Sequence, residues 1–442
     1  MRPMLCASVC VVLLGSPAAW AVSPYHSIVP EKPRSTPYGL QIVESGDVLT
    51  GRESGDSAAP QVAPTPLTDS AFHAMVEQFE SQGGPYDPRL TEPLHTMGRA
   101  FIEKGEPFEA MKVFRRAMQV SRINEGLNGP AQLPILDDMV ELRLLLGQFE
   151  EADQLVSRRF RLQQAVYAPG DENMMQATRE YLDWQRQAYL QGVGGSSYLR
   201  LLDMHDVYSA NIERLSQSNG ADEEIIAQHY DRMLVEYLIS RYDGERQSML
   251  RIQLSGPADA DPLLNGQLEG ERFRQLQKNN FRNGRRSLEA IIEAATRAEG
   301  PESDAVGKAY VALGDWYMWW QEESRALQQY EKAWAIFSAS GALASAEEAF
   351  FTRPVELPDT RVFLSDGSVP TENVKARAKV MLTVSRYGEA REIEILEQEP
   401  PEDVGARVVL FRLLRDVRFR PVMKDGKTVS WSGLERDYRY QY

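Results

Sequence analysis

Cysteine is almost absent from this sequence of 442 residues, which contains only Cys6 and Cys10. Both lie in a segment that we expect to be removed from the mature chain. A mature chain without cysteine has no disulfide, no thiol nucleophile and no cysteine metal site. Histidine is also scarce, and the five residues are scattered without an H-E-x-x-H or similar ligand spacing. We therefore predict no cofactor, no metal site and no catalytic residues.

Long hydrophobic runs are missing as well. The apolar run Leu5–Leu14 is too short to span a bilayer as a permanent anchor. It follows Arg2 and precedes the small residues Ala19 and Ala21, which is the pattern of a secretory signal peptide with an A-x-A cleavage site. We expect an exported, bacterial periplasmic protein that begins at Val22 and has no membrane span after cleavage. The alternative is a signal anchor that is retained.

An excess of basic residues, which nucleic-acid binding requires, is also lacking. The chain has 49 Lys and Arg against 64 Asp and Glu, for a net charge of −15. The acidity is concentrated in Val22–Pro370, whereas Thr371–Tyr442 has 14 basic against 12 acidic residues. A nucleic-acid partner is therefore not expected, because such binding depends on clustered Lys and Arg.

A regular alternation of small and large residues is present in Gly307–Ser340, which we interpret as two packed helices. The small residues Gly314, Ala326 and Ala333 would let the helix backbones approach closely, with tyrosines filling the space beside them. This pattern resembles the tetratricopeptide repeat, whose period is about 34 residues. The resemblance implies an α-helical solenoid that binds other proteins.

A second copy of the pattern lies 216 residues earlier, as Gly98 and Gly314 show. Seven packing positions correspond between the two copies, and they are Leu94, Met97, Gly98, Phe101, Ala110, Phe114 and Ala117 in the first. A third unit, around Gly147 and Ala152, follows at a spacing of 42 residues. We therefore predict a mainly α fold built from stacked helix pairs, each of which buries its apolar face against its neighbours.

The segments between the repeats predict the division of the chain. An Asn283-Gly284 turn is expected within the second array, and a short strand could form near Leu40–Leu49. The predicted order is a signal peptide (1–21), a disordered Pro/Gly-rich arm (22–66), an N-terminal repeat array (67–254), a loop (255–270), a C-terminal repeat array (271–357) and a terminal domain (371–442).

The terminal domain has a different periodicity. From Val374 to Val384 apolar and polar residues alternate, which predicts a strand, and a second strand follows the turn at Gly388. A helix over Asp403–Val417 and one or two closing strands complete a small α+β unit of order β-β-α-β. This order, with Phe-Arg-Pro after the helix, resembles the C-terminal domain of TonB. The resemblance implies that a partner strand pairs with an exposed sheet edge.

Candidate binding residues come from the helix face that a tetratricopeptide array turns toward its groove. Polar side chains there can hold a peptide backbone or terminus, and an aromatic ring can anchor it. The candidates are His95, Arg99, Glu103, Asp137, Glu141, Lys308, Asp315 and Trp319.

The function expected from these features is that of a protein-binding scaffold, with a protein or peptide in the groove and a second envelope partner on the terminal domain. Three alternatives remain open. The chain could belong to a TonB system that transmits force to an outer-membrane receptor. It could be a cell-envelope hydrolase, although no nucleophile motif supports this. The terminal domain could also serve only as a cap on the last repeat.

Overall fold

A computed structural model describes residues 40–42, 69–193, 197–217, 220–240, 242, 260–358 and 376–440. The predicted signal peptide lies outside these ranges. The predicted arm also lies outside them except for residues 40–42, and so do the first two residues of the predicted N-terminal array, 67 and 68. The described residues are mostly helical, with a small region of β-structure at the C-terminal end.

The helices account for most of the described chain between residues 69 and 346. They are α1 (Asp69–Gly83), α2 (Thr91–Glu103), α3 (Pro107–Glu125), α4 (Gln132–Leu145), α5 (Phe149–Val166), α6 (Glu172–Gln191), α7 (Ser197–Gln217), α8 (Asp222–Ser240), α9 (Ala260–Glu299), α10 (Asp304–Trp319), α11 (Glu323–Ser340), α12 (Leu343–Ala346) and, within the terminal domain, α13 (Val404–Asp416). A π-helical turn, Glu347–Phe351, follows α12.

The helix pairs α2–α3 and α10–α11 pack through the same close contact. A Cβ atom added to Gly98 would lie 2.3 Å from the ring of Phe114, and one added to Gly314 would lie 2.4 Å from the ring of Tyr330. Since real Cβ atoms do not approach other atoms this closely, only glycine lets these helices meet at this distance. The two predicted small-residue positions therefore have the same packing role, 216 residues apart.

The connection between the predicted arrays differs from expectation. The sequence predicts a loop over residues 255–270, but α9 begins at Ala260 and continues without a break to Glu299. The predicted Asn283-Gly284 turn is also wrong, because both residues lie inside this helix. Gly284 serves packing instead, since a Cβ atom there would lie 2.4 Å from the indole of Trp316.

The terminal domain contributes β3 (Ala376–Val384), β4 (Ala390–Glu399) and β8 (Trp431–Tyr440) to an antiparallel sheet, and the predicted arm contributes β1 (Leu40–Ile42). The order of these four strands is β1-β8-β3-β4. Two small two-stranded sheets pair β2 (Val355–Glu356) with β5 (Phe419–Arg420) and β6 (Val422–Lys424) with β7 (Lys427–Val429).

The predicted alternation is present in β3, whose residues are alternately buried and half-buried along its whole length. The predicted helix is also present as α13, and the Asp403 side chain caps it by accepting a hydrogen bond from the Ala406 backbone N–H at 2.8 Å. The strand suggested near Leu40–Leu49 is described over Leu40–Ile42, which pairs with Tyr438–Tyr440.

One hydrophobic core continues from the helices into the terminal domain. It includes Leu288 of α9 and Trp316 of α10 together with Val380 of β3 and Leu410 of α13. The β3–β4 turn approaches α10 so closely that a Cβ atom on Gly388 would lie 2.9 Å from the Met318 sulfur. The terminal domain is therefore packed against the last helix pairs. Within the described ranges, no helix is both long enough and apolar enough to cross a membrane.

We predict that Gly314→Ala will lower the free energy of unfolding by about 1–3 kcal/mol, because the added methyl group must displace the fully buried Tyr330 ring. Gly270→Ala is the matched control, since it lies within α9 with no atom within 4 Å of its added Cβ. This control should be neutral or stabilise by up to about 1 kcal/mol. Urea denaturation measures both, and equal effects of the two substitutions would contradict the packing role of Gly314.

Candidate functional site

A pocket of about 530 Å³ lies between α8, α9 and α10 and is bounded by the terminal domain. A pocket of this volume is large enough for a drug-sized molecule or a few residues of a peptide. Its lining residues are Arg186, Tyr230, Asp231, Met233, Leu234, Tyr237, Leu288, Lys308, Val311, Ala312, Asp315, Phe350 and Arg420. We call it the junction pocket, because helices and terminal domain both contribute to it.

A buried ion pair between the helices and the terminal domain forms part of the pocket lining. Arg420 of β5 donates two hydrogen bonds to the carboxylate of Asp315 in α10, at 2.9 and 2.5 Å. The side chains are only 2% and 8% exposed. The Tyr330 hydroxyl donates a third hydrogen bond to Asp315 at 2.9 Å. The bidentate pair fixes the position of β5 on α10, because the planar guanidinium matches the carboxylate geometry.

Much of the pocket wall is apolar and closely packed. Met233, Leu288 and Val311 are each at most 4% exposed. Tyr237 packs edge-on against the indole of Trp316, with 4.9 Å between ring centroids. The guanidinium of Arg420 lies 5.6 Å from the ring centroid of Phe350, which places a cation against the aromatic wall.

Charged side chains also line the pocket beside these walls. Lys308 is exposed, and no carboxylate of the described residues forms an ion pair with it. Arg186 lies 2.8 Å from Asp183 on the same helix. Burial raises the pKa of Asp231 to about 6, with Arg186 opposing the shift and Asp183 adding to it. Lys308 is therefore the lining cation that no described carboxylate pairs, and the positive charge of the pocket rises below pH 6 as Asp231 takes up a proton.

The binding residues predicted on α10 lie in two different environments. Lys308 and Asp315 line the junction pocket. The prediction of Trp319 as an exposed anchor in the groove is wrong, because it is 2% exposed and its indole N–H donates to the Ser240 hydroxyl at 2.9 Å. Asp315 is not a free groove carboxylate either, because Arg420 and Tyr330 occupy it. Helix α8 and strand β5 cover the face that is expected to be open.

The predicted residues on α2 and α4 lie elsewhere, and none lines the junction pocket. His95 lies 2.6 Å from Asp138 of α4, and Arg99 lies 3.8 Å from the same carboxylate. Asp137 of α4 pairs instead with Arg159 of α5 at 2.8 Å. Glu103 and Glu141 are exposed.

Sequence reasoning missed the pocket residues outside α10, among them Tyr237, Phe350 and Arg420. Tyr237 lies in a segment where the repeat signature has decayed, so no pattern marked it. Arg420 belongs to the Phe-Arg-Pro motif, which indicates the terminal domain but gives no reason to connect it with α10. In the described part of the chain, no group of three His, Cys, Asp or Glu side chains is placed to hold a metal ion.

Comparison of the chain with protein-family models and with curated proteins finds no match.

We predict that Asp315→Asn will destabilise the protein by about 3–5 kcal/mol, because it leaves the buried Arg420 guanidinium without its counter-charge. The control is Glu435→Gln, which removes an exposed ion pair to Lys379 within the terminal domain and should have little effect on stability, because water screens such pairs. Chemical denaturation measures both. A cost for Asp315→Asn as small as that of the control would mean that the junction does not depend on this pair.

A second prediction concerns Glu356, which lies where β2 pairs with β5. Burial raises the pKa of its carboxyl from 4.5 to about 7, although Tyr438 donates a hydrogen bond to it at 2.8 Å. A raised pKa means that the folded chain keeps a proton that the unfolded chain loses, so stability falls as the pH rises from about 4.5 to about 7. We predict that Glu356→Gln will remove this loss. The free energy of unfolding of the variant, relative to that of the unsubstituted protein, should therefore increase with pH, by up to about 3 kcal/mol.

Urea denaturation of both proteins at pH 4.5 and pH 8 provides the measurement. The exposed Glu394→Gln substitution is the control, and its effect should be the same at both pH values. An effect of Glu356→Gln that is equally independent of pH would show that folding does not raise the pKa of this carboxyl.

Proposed function

We propose that this chain is an exported, periplasmic scaffold protein of the tetratricopeptide-repeat type, which holds a segment of a protein partner in the junction pocket. The pocket carries the proposal: apolar walls of fixed geometry lie beside charged groups, which is the arrangement that anchors a side chain and orients a peptide. Lys308, which the repeat resemblance marked as a groove residue, lines it.

The shared core supports a specific role for the terminal domain. Its strand β5 supplies Arg420 to the pocket, so this TonB-C-like domain closes the end of the helical array and completes the binding site at once. This favours the capping role among the alternatives, and it adds a binding role that a simple cap lacks.

A second contact for the partner is available at the sheet edge. In the described sheet, β1 pairs with β8, and β4 forms the other edge. Its glutamates and the irregular register between β3 and β4 disfavour unspecific strand pairing, so a partner strand would need basic residues opposite β4. Two modest contacts on one rigid body reinforce each other through effective concentration.

Site-specific photocrosslinking in the native host tests the proposal. The photoreactive amino acid p-benzoylphenylalanine replaces Tyr230 in the pocket or, as a control, the exposed Tyr86, which does not line it. We expect Tyr230→p-benzoylphenylalanine to form a discrete adduct with an envelope protein that the Tyr86 variant does not form. The crosslinked chain should come from the periplasmic fraction and begin at Val22. No adduct from the pocket position, or the same adducts from both positions, would contradict the proposal.

A further inference from the structure

We infer that the junction pocket selects a ligand group in which an apolar part lies next to a negative charge. Examples are a hydrocarbon chain that ends in a carboxylate and a C-terminal residue with a branched apolar side chain. The inference rests on the proposed function, because it names the chemistry that the same pocket accepts. Its basis is the balance of charge around the pocket and the apolar surface between the charges.

The charges in the pocket lining are unequal. Its cations are Arg186, Lys308 and Arg420, and its carboxyl groups are Asp231 and Asp315. Asp315 is satisfied by three hydrogen bonds from Arg420 and Tyr330, so it has little capacity left for a cationic ligand. Arg186 is likewise paired with Asp183, so an entering cation would meet mainly the repulsion of Lys308, and an anion its attraction.

Lys308 is the residue that an incoming anion can bind directly. It projects from α10 one helical turn before Val311 and Ala312 of the pocket wall, and no carboxylate of the described residues is paired with it. An ammonium group at this place can bind the anion while the apolar part of the ligand lies against Val311 and Ala312. Binding there costs no existing ion pair.

The remaining wall specifies an apolar rather than a polar body for the ligand. Met233, Leu234, Leu288 and Phe350 contribute to it, and the described lining contains no serine, threonine, asparagine or glutamine. Beyond the charged groups and the two tyrosine hydroxyls, a sugar or a polar peptide segment would find no hydroxyl or amide side chain in the described lining to replace its hydrogen bonds to water. A hydrocarbon chain or an apolar side chain gains from the same desolvation.

This chemistry can come from the C-terminus of a partner protein or from a free amphiphile, and one competition experiment distinguishes the two. The full chain is titrated with the fluorescent anion 1-anilinonaphthalene-8-sulfonate, and decanoate, decanol and decyltrimethylammonium then compete with it. We expect decanoate to displace the probe at concentrations about tenfold lower than the other two. A peptide with a free C-terminal leucine is compared with its C-terminal amide. Displacement by the free acid alone assigns a partner's C-terminus, and displacement by decanoate without the peptide assigns a free amphiphile.

Matched variants show whether the probe is in the junction pocket. Lys308→Glu should weaken binding of the anions about tenfold, whereas Lys278→Glu, the same charge change at an exposed site on α9, should alter it less than about twofold. Ala312→Trp should abolish binding by filling the pocket. Thermal unfolding confirms that each variant is folded.

Equal competition by decanoate and decyltrimethylammonium, or equal effects of Lys308→Glu and Lys278→Glu, would overturn the inference of anion selection. Such a result leaves the proposed function intact if the Tyr230 crosslink to a partner persists. Binding that survives Ala312→Trp would place the probe outside the pocket and also overturn the inference. Loss of both the crosslink and the anion binding would reject the pocket as a binding site altogether.

Discussion

The buried ion pair between Asp315 and Arg420 is the interaction on which the junction depends. A guanidinium that is 2% exposed is tolerated only while a carboxylate accepts its hydrogen bonds, because an unpaired charge at this depth is strongly unfavourable. The two residues come from a helix and from a strand more than one hundred positions later in the chain. The pair therefore fixes the position of β5 relative to α10, because only one position satisfies both charges. The shared hydrophobic core lies around this contact.

This constraint makes the junction pocket a composite feature. Helices α8, α9 and α10 supply its apolar walls, but Arg420 and the Phe350 that precedes the terminal domain lie along its border. Removing the terminal domain would leave Asp315 without its cation and open one side of the pocket. The helices and the terminal domain consequently share one hydrophobic core and both contribute to the lining of the pocket.

The packing of neighbouring helices could be predicted from the sequence. Which distant elements cover the outer face of a helix could not. Gly314 beside Tyr330 reveals a close helix approach, because small and large residues that alternate at helical spacing are typical of two tightly packed helices. Gly284 is also a close-approach glycine, but beside Asn283 it has the composition of a turn, and only the position of Trp316 distinguishes the two. Trp319 shows the same limit. Its helical face follows from periodicity, but the element that covers that face, with Ser240 as hydrogen-bond partner, is distant in sequence.

The two corresponding helix pairs show how one repeat position acquires different roles. Arg99 and Glu103 of α2 stand 216 residues before Asp315 and Trp319 of α10. The side chain of Arg99 is 65% exposed, and Glu103 is exposed too. Their counterparts are buried, since α8 and the strand carrying Arg420 cover that face. Where other elements cover the helix face, it becomes part of the junction with the terminal domain, and a pocket lies beside it. Where no described element covers it, the same face stays polar and solvated. It follows that the chemistry of corresponding positions in the two helix pairs is set by their neighbours in space, and that only the uncovered pair keeps the polar surface that the sequence pattern predicts.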